Sequence, residues 1–194
     1  MFLALTAIED LWKKNEEIIF LGPWCIRNDS NIKNIKYTIL SYHWDNQNDV
    51  EEDNKYIFSL YQKMMPLLSK KLNKIFKKNY NERYWEVLVG VWYVKFIELI
   101  YDRYKVIRNI KYSDNLNTYL TDEFITPSSF MDFYWLSQED YYNFSIFSFL
   151  IKKLDLKINV LQKITNINKY PSKVKDNTYK FERNKYKIRN KNIT

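Results

Sequence analysis

The chain has 194 residues, a net charge of +8, and 46% hydrophobic and 18% aromatic residues, enough for one domain with a substantial core. Its only glycines, Gly22 and Gly90, cannot form G-x-G-x-x-G or G-x-x-x-x-G-K-[ST], which excludes a phosphate loop of either kind. One cysteine and one histidine exclude an intrachain disulfide and a structural zinc site built from four Cys and His ligands.

The charge is uneven: Lys152 to Thr194 carries 13 Lys and Arg against 3 Asp and Glu, so the body before it is near neutral. Met1 to Ala7 is apolar but lacks a basic start and meets Glu9 and Asp10 at once, unlike a secretory signal. The longest uncharged part of the apolar stretch Val87 to Ile100 ends at Val94, far short of the roughly 20 residues that span a bilayer. These features predict a soluble cytoplasmic protein.

In chain order, Thr6 and Glu9 have capping-box spacing and predict a helix over 6–15, with Ile8, Leu11 and Trp12 on one face. Ile18 to Leu21, closed by Gly22-Pro23, reads as a buried parallel strand. Residues 26–35 read as a loop, and Tyr37 to Tyr42 as a second strand ending in His43-Trp44-Asp45. From Val50 to Lys78 the spacing of Tyr56, Leu60, Met64, Leu67, Leu68, Leu72 and Phe76 is helical, with a kink or break expected near Met64 because of Pro66. A further helix is predicted over 82–108. It is apolar nearly all round from Tyr84 to Tyr101, as in a helix buried on several sides, and Gly90 implies close approach by a neighbour.

Pro127 with Ser128 and Ser129 should interrupt the chain before a short helix that ends at Leu136. Ser137 with Asp140 predicts the cap of a helix over 138–154, and Ile158 to Leu161 reads as one more strand. Beyond Asn166 apolar periodicity fades. The expected organisation is therefore an α/β domain over 1–165 and a mobile basic tail over 166–194.

In a parallel α/β sheet the carboxyl ends of strands open onto one crevice, where ligands bind. Gly22-Pro23-Trp24-Cys25 and His43-Trp44-Asp45 both follow predicted strands, so they should share it. His43 and Asp45 have the chemistry for proton transfer or for hydrogen bonds to sugar hydroxyls, and Trp24 and Trp44 offer flat stacking surfaces. The alternative is that both tryptophans belong to the core, His43 is satisfied locally and Asp45 caps a helix. Cys25, without a second sulfur, reads as an inert buried thiol. Arg83, at a helix N-terminus where the macrodipole disfavours a cation, calls for a carboxylate or an anionic ligand. Asp102 and Arg103 read equally as an ion pair between helices.

The succession Phe20-Leu21-Gly22 with Trp24-Cys25, Tyr42-His43-Trp44-Asp45, Arg83-Tyr84-Trp85 with Leu88, Gly90 and Trp92, then Leu99 and Tyr101-Asp102-Arg103-Tyr104 resembles a family of bacterial transferases. Members of that family occur among O-antigen and other surface-polysaccharide biosynthesis genes, and the likeness spans Leu3 to Leu161. It implies a helix-rich, Rossmann-like N-terminal half of a two-domain, GT-B-type glycosyltransferase-like architecture. A nucleotide-sugar donor and a glycan or lipid-linked acceptor would meet between the halves. The sequence departs from the family pattern at Val91, where a proline is expected after Gly90, and after Leu161, where the basic tail replaces a second nucleotide-binding half.

The site expected on these grounds has His43 and Asp45 as catalytic groups and Gly22, Trp24, Trp44 and Arg83 as substrate-binding residues, with no metal and no cofactor. It belongs to the acceptor-side part of a polysaccharide-biosynthesis transferase, cytoplasmic or peripheral at the inner membrane face. The competing reading is a non-catalytic module whose basic tail contacts nucleic acid or an acidic membrane surface, nucleic acid being the less favoured partner for want of a folded motif. A third is an inactive truncated product.

Overall fold

A computed structural model of the chain describes residues 1–28, 30–110 and 116–167. Five short parallel strands form one sheet: β1 (Phe2–Ala4), β2 (Ile18–Phe20), β3 (Tyr37–Ile39), β4 (Asn117–Thr121) and β5 (Asn159–Ile164), in the order β3-β2-β1-β4-β5. Among the described residues four α-helices accompany it: α1 (Gln47–Phe76), α2 (Glu82–Arg108), α3 (Phe130–Leu136) and α4 (Asp140–Lys153). This is an α/β arrangement with a parallel sheet, consistent with a Rossmann-like fold.

The central strand β1 is buried along its whole length, as a parallel strand covered on both faces must be. Phe2, Leu3, Ile18, Phe20 and Leu120 join Tyr142, Phe147 and Ile151 of α4 and Ile107 of α2 in one apolar cluster. A second cluster holds the long hairpin of α1 and α2 together through Ile57, Met65, Trp85, Tyr93 and Ile97. At Gly90 a Cβ would lie 2.8 Å from the Tyr61 Oη, which is the close approach the glycine implied.

Several expectations are corrected. The predicted helix over 6–15 is only a 3-10 turn at Glu9–Leu11. The Thr6 hydroxyl accepts from the Ile8 N–H, the Trp12 indole donates to the Thr6 carbonyl at 2.8 Å, and Glu9 accepts from Lys14 and the Asn31 backbone, so the groups of the expected capping box are engaged elsewhere. Ser137 does not cap α4. It closes α3, its hydroxyl donating to the Tyr134 carbonyl, and α4 begins after Glu139. Pro66 removes a bond from α1 without ending it.

The burial expected around α2 is also corrected. Only the side bearing Trp85, Tyr93 and Ile97 is covered, while Val87, Leu88 and Val91 are exposed. Strands β1 and β4 were not anticipated. The predicted tail beyond Ile167 lies outside the described residues.

Candidate functional site

The carboxyl ends of β2 and β3 lie side by side because the two strands pair in parallel, Ile18 with Tyr37 and Phe20 with Ile39. After β2 the backbone is fully extended at Gly22 and then enters a 3-10 turn over Pro23–Cys25. This folds the Trp24 ring back over Gly22, so closely that a Cβ at Gly22 would fall 2.2 Å from it. Trp24 meets Tyr42, beyond the end of β3, edge to face at 5.3 Å. The two clusters therefore meet in one aromatic contact. Cys25 takes no part in it: its thiol is buried, donates to the Ala4 carbonyl, and is pushed up to about 12 by burial.

After β3, a 3-10 turn over His43–Asp45 turns the chain into α1, whose N-cap Asn46 accepts from the Asn48 N–H. The turn drives His43 inward, where its side chain is 4% exposed. Tyr42 and Trp44 flank the imidazole at ring separations of 4.8 and 5.0 Å. Its Nε2 lies 3.5 Å from Asp102 Oδ1 and 3.9 Å from Asp53 Oδ2, yet among the described residues neither ring nitrogen has a hydrogen-bond partner. Buried nitrogens without partners are rare and call for an explanation. Burial pushes the imidazole below its ordinary 6.5, against the pull of the Asp53 charge, so His43 is neutral at pH 7.

The two carboxylates are fixed by other groups. Asp53 on α1 accepts from the Tyr101 hydroxyl at 2.7 Å and the Trp44 indole at 3.0 Å, and pairs with Lys105 at 3.2 Å. Burial alone would raise its carboxyl, but those bonds outweigh burial and hold it below the ordinary range. Asp102 accepts from the Tyr42 hydroxyl at 2.8 Å and pairs with its neighbour Arg103. Arg103 also donates to Asn143 of α4, and burial lowers its guanidinium. Each carboxylate thus has one cation, and neutral His43 lies between two balanced pairs.

Against this network opens a cavity of about 440 Å³, walled by Tyr42, Trp44 and Asp102–Arg103 on one side and by Phe130 and Phe133 of α3 on another. Its wall is mainly apolar and aromatic, with a few convergent polar groups, which is the usual make-up of a small-ligand site. Lys95 and Glu98 at its edge neutralise each other at 2.7 Å.

Of the residues expected from sequence, Trp24, His43 and Trp44 each contact Tyr42 and Gly22 lies under the Trp24 ring, but of these four only Trp44 lines the cavity. Asp45 is exposed and is not one of the carboxylates beside His43, which are Asp53 and Asp102. Arg83 is placed elsewhere: it lies 19 positions before Asp102 on α2, about 28 Å along the helix. Its side chain is 76% exposed and pairs with Glu86, so the anionic partner its position called for comes from its own helix. The ion pair expected between helices is corrected: Asp102 and Arg103, neighbours on α2, pair with each other, and Arg103 reaches α4 through the neutral side chain of Asn143. Asp53 and Lys105 were missed, their one signal being their recurrence on the inner faces of α1 and α2, and Tyr101 was singled out only within the motif Tyr101-Asp102-Arg103-Tyr104, without a site role. Among the described residues no group of three or more His, Cys, Asp or Glu side chains is arranged to hold a metal ion. No described helix is long and apolar enough to cross a membrane.

A family model described as LIC12162 family transferase matches residues 1–194. No curated protein and no solved structure matches the chain.

Proposed function

Because the chain belongs to the LIC12162 family of transferases, we propose that it forms the acceptor-side part of a glycosyltransferase-like enzyme of surface-polysaccharide synthesis. In this reading the α/β unit is one half of a GT-B-type architecture. A nucleotide sugar is bound chiefly by the other half, and a glycan or lipid-linked acceptor enters the aromatic cavity here.

The observation that carries the reading is Asp102 on the cavity wall, with the Nε2 of His43, which has no hydrogen-bond partner among the described residues, 3.5 Å from it. The Asp102 carboxylate takes the proton of the acceptor hydroxyl as that oxygen bonds to the sugar and the nucleoside diphosphate leaves. Arg103 stabilises the carboxylate until then. His43, buried beside Asp102, positions it and keeps the network in one arrangement. Trp44 and Tyr42 supply the flat apolar faces on which a sugar ring stacks. Charge supports an acceptor role: Lys95 and Arg103, the cations among the described residues that line the cavity, are each already paired with a carboxylate, which leaves neither free for a diphosphate.

The test is sugar transfer by a longer homologue carrying the equivalent of Asp102→Asn. A fall in kcat of about 10² to 10⁴ with little change in acceptor KM is expected. Unchanged transfer would remove Asp102 from the reaction.

A further inference from the structure

The end of the helical hairpin opposite the cavity has a composition of its own. Lys70, Lys71, Lys74, Lys77 and Lys78 of the α1 end and the turn are all exposed, as is Arg83, and between Leu67 and Trp85 the only acidic residue is Glu82. Among the described residues none of those five lysines is in an ion pair. The same end also exposes apolar side chains beside these cations: Leu67, Ile75 at 61%, Phe76 at 58%, Tyr80 and Tyr84. Leu67, Lys71 and Ile75 recur every four residues, so cations and apolar groups alternate along one face.

The tip is also firmly built. Lys77 ends α1 in the left-handed conformation. The Asn73 side chain then clasps the turn, donating to the Tyr80 carbonyl at 2.8 Å and accepting from the Tyr80 N–H at 3.0 Å and the Trp85 indole at 2.9 Å.

We infer that the α1–α2 tip docks on an anionic phospholipid bilayer, its lysines facing the headgroups and Ile75, Phe76 and Tyr80 entering the interface. Charge complementarity selects this occupant. A second copy would bring two strongly positive tips together, and a nucleic-acid backbone would satisfy the lysines but leave Ile75 and Phe76 in water. The inference is independent of the proposed transfer chemistry, whose residues lie about 28 Å away along α2.

The experiment uses the full chain carrying Lys78→Cys, labelled with an environment-sensitive fluorophore; Cys25 is buried and its thiol is held protonated, so only the new cysteine reacts. Fluorescence should rise with phosphatidylcholine vesicles that contain phosphatidylglycerol and stay flat with phosphatidylcholine alone. Changing Lys70, Lys71 and Lys74 to Gln in the labelled chain should weaken partitioning about 100-fold, and Phe76→Ser should lower the fluorescence rise with circular dichroism unchanged. Vesicle binding with a silent label places the contact in another part of the chain. A signal that grows with protein concentration alone means a second copy, and an equal response to RNA means a nucleic-acid surface. Any of these overturns the proposal, as does a triple variant that binds like the parent.

Discussion

Replacing His43 by phenylalanine should separate stability from function. The imidazole is buried with two ring nitrogens that have no hydrogen-bond partner among the described residues, and each such group costs about 1 to 3 kcal/mol to keep from water. Phenylalanine removes that penalty and keeps an aromatic ring between Tyr42 and Trp44. The extra ring atom opposes this with about 1 to 3 kcal/mol of overpacking. With two nitrogens the penalty removed is about 2 to 6 kcal/mol, which exceeds the overpacking cost, so the unfolding free energy from urea titration should rise by about 2 kcal/mol, or about 4 to 8 °C in Tm for a chain of this size. Acidification sharpens the comparison. Burial lowers the folded-state pKa of His43 below 6.5, so below pH 6.5 the unfolded chain binds a proton that the folded chain refuses, and the parent loses stability as the pH falls toward the folded value. The variant lacks this contribution, so the gap between the two should shift in its favour between pH 7 and 5.5. Asp49, Asp53, Asp102, Arg103 and Lys105 are common to both proteins and largely cancel in the difference. Transfer by a longer homologue with the same substitution should fall while folding is unharmed. A loss above about 3 kcal/mol at pH 7 would refute the reasoning, because it would mean that the ring nitrogens hold the fold together.

Asp102→Ala should behave oppositely, destabilising by about 2 to 4 kcal/mol in chemical unfolding, since it strands the half-buried Arg103 guanidinium and frees the Tyr42 hydroxyl. A double change of Asp102 and Arg103 to apolar residues should recover part of that loss. Gly22→Ala should displace the Trp24 ring, which a Cβ would overlap at 2.2 Å, and cost about 1 to 3 kcal/mol. The accompanying change is a red shift of tryptophan emission as the Trp24–Tyr42 contact opens, and an unmoved spectrum would count against the placement of that ring.

The two long helices were legible because their apolar spacing runs for seven turns or more, and the expected range 82–108 coincides with α2. Strands β2 and β3 were announced by their apolar runs and by Gly22-Pro23. Strand β1 was hidden by being three residues long and apolar throughout, so it had no period to display. Strand β4 was hidden by its polarity. Thr118 and Thr121 look like loop residues until the Thr118 hydroxyl is seen donating to the Leu3 carbonyl and the Thr121 N–H to Ser148, contacts that no local pattern encodes.

The site was half legible for the same reason. Aromatics and His43 clustered after strands were visible, but the carboxylates that surround the ring lie 10 and 59 residues further on, on helix faces whose charges look like ordinary solvated positions. Asp45 was the nearest carboxylate in sequence, and the turn that buries His43 leaves it in water.

The strand order has a consequence for how the protein comes into being. The middle strand β1 is flanked by β2, a dozen residues away, and by β4, more than a hundred residues away. On the ribosome β1 emerges long before its neighbour β4 exists, while the α1–α2 hairpin, built from local contacts, can close as soon as it is made. The sheet must therefore wait, with β1 half covered, until β4 and then β5 arrive. During that interval Phe2 and Leu3 have an open edge, which makes early chain termination or slow translation through residues 109–164 the step at which this protein is most exposed to aggregation.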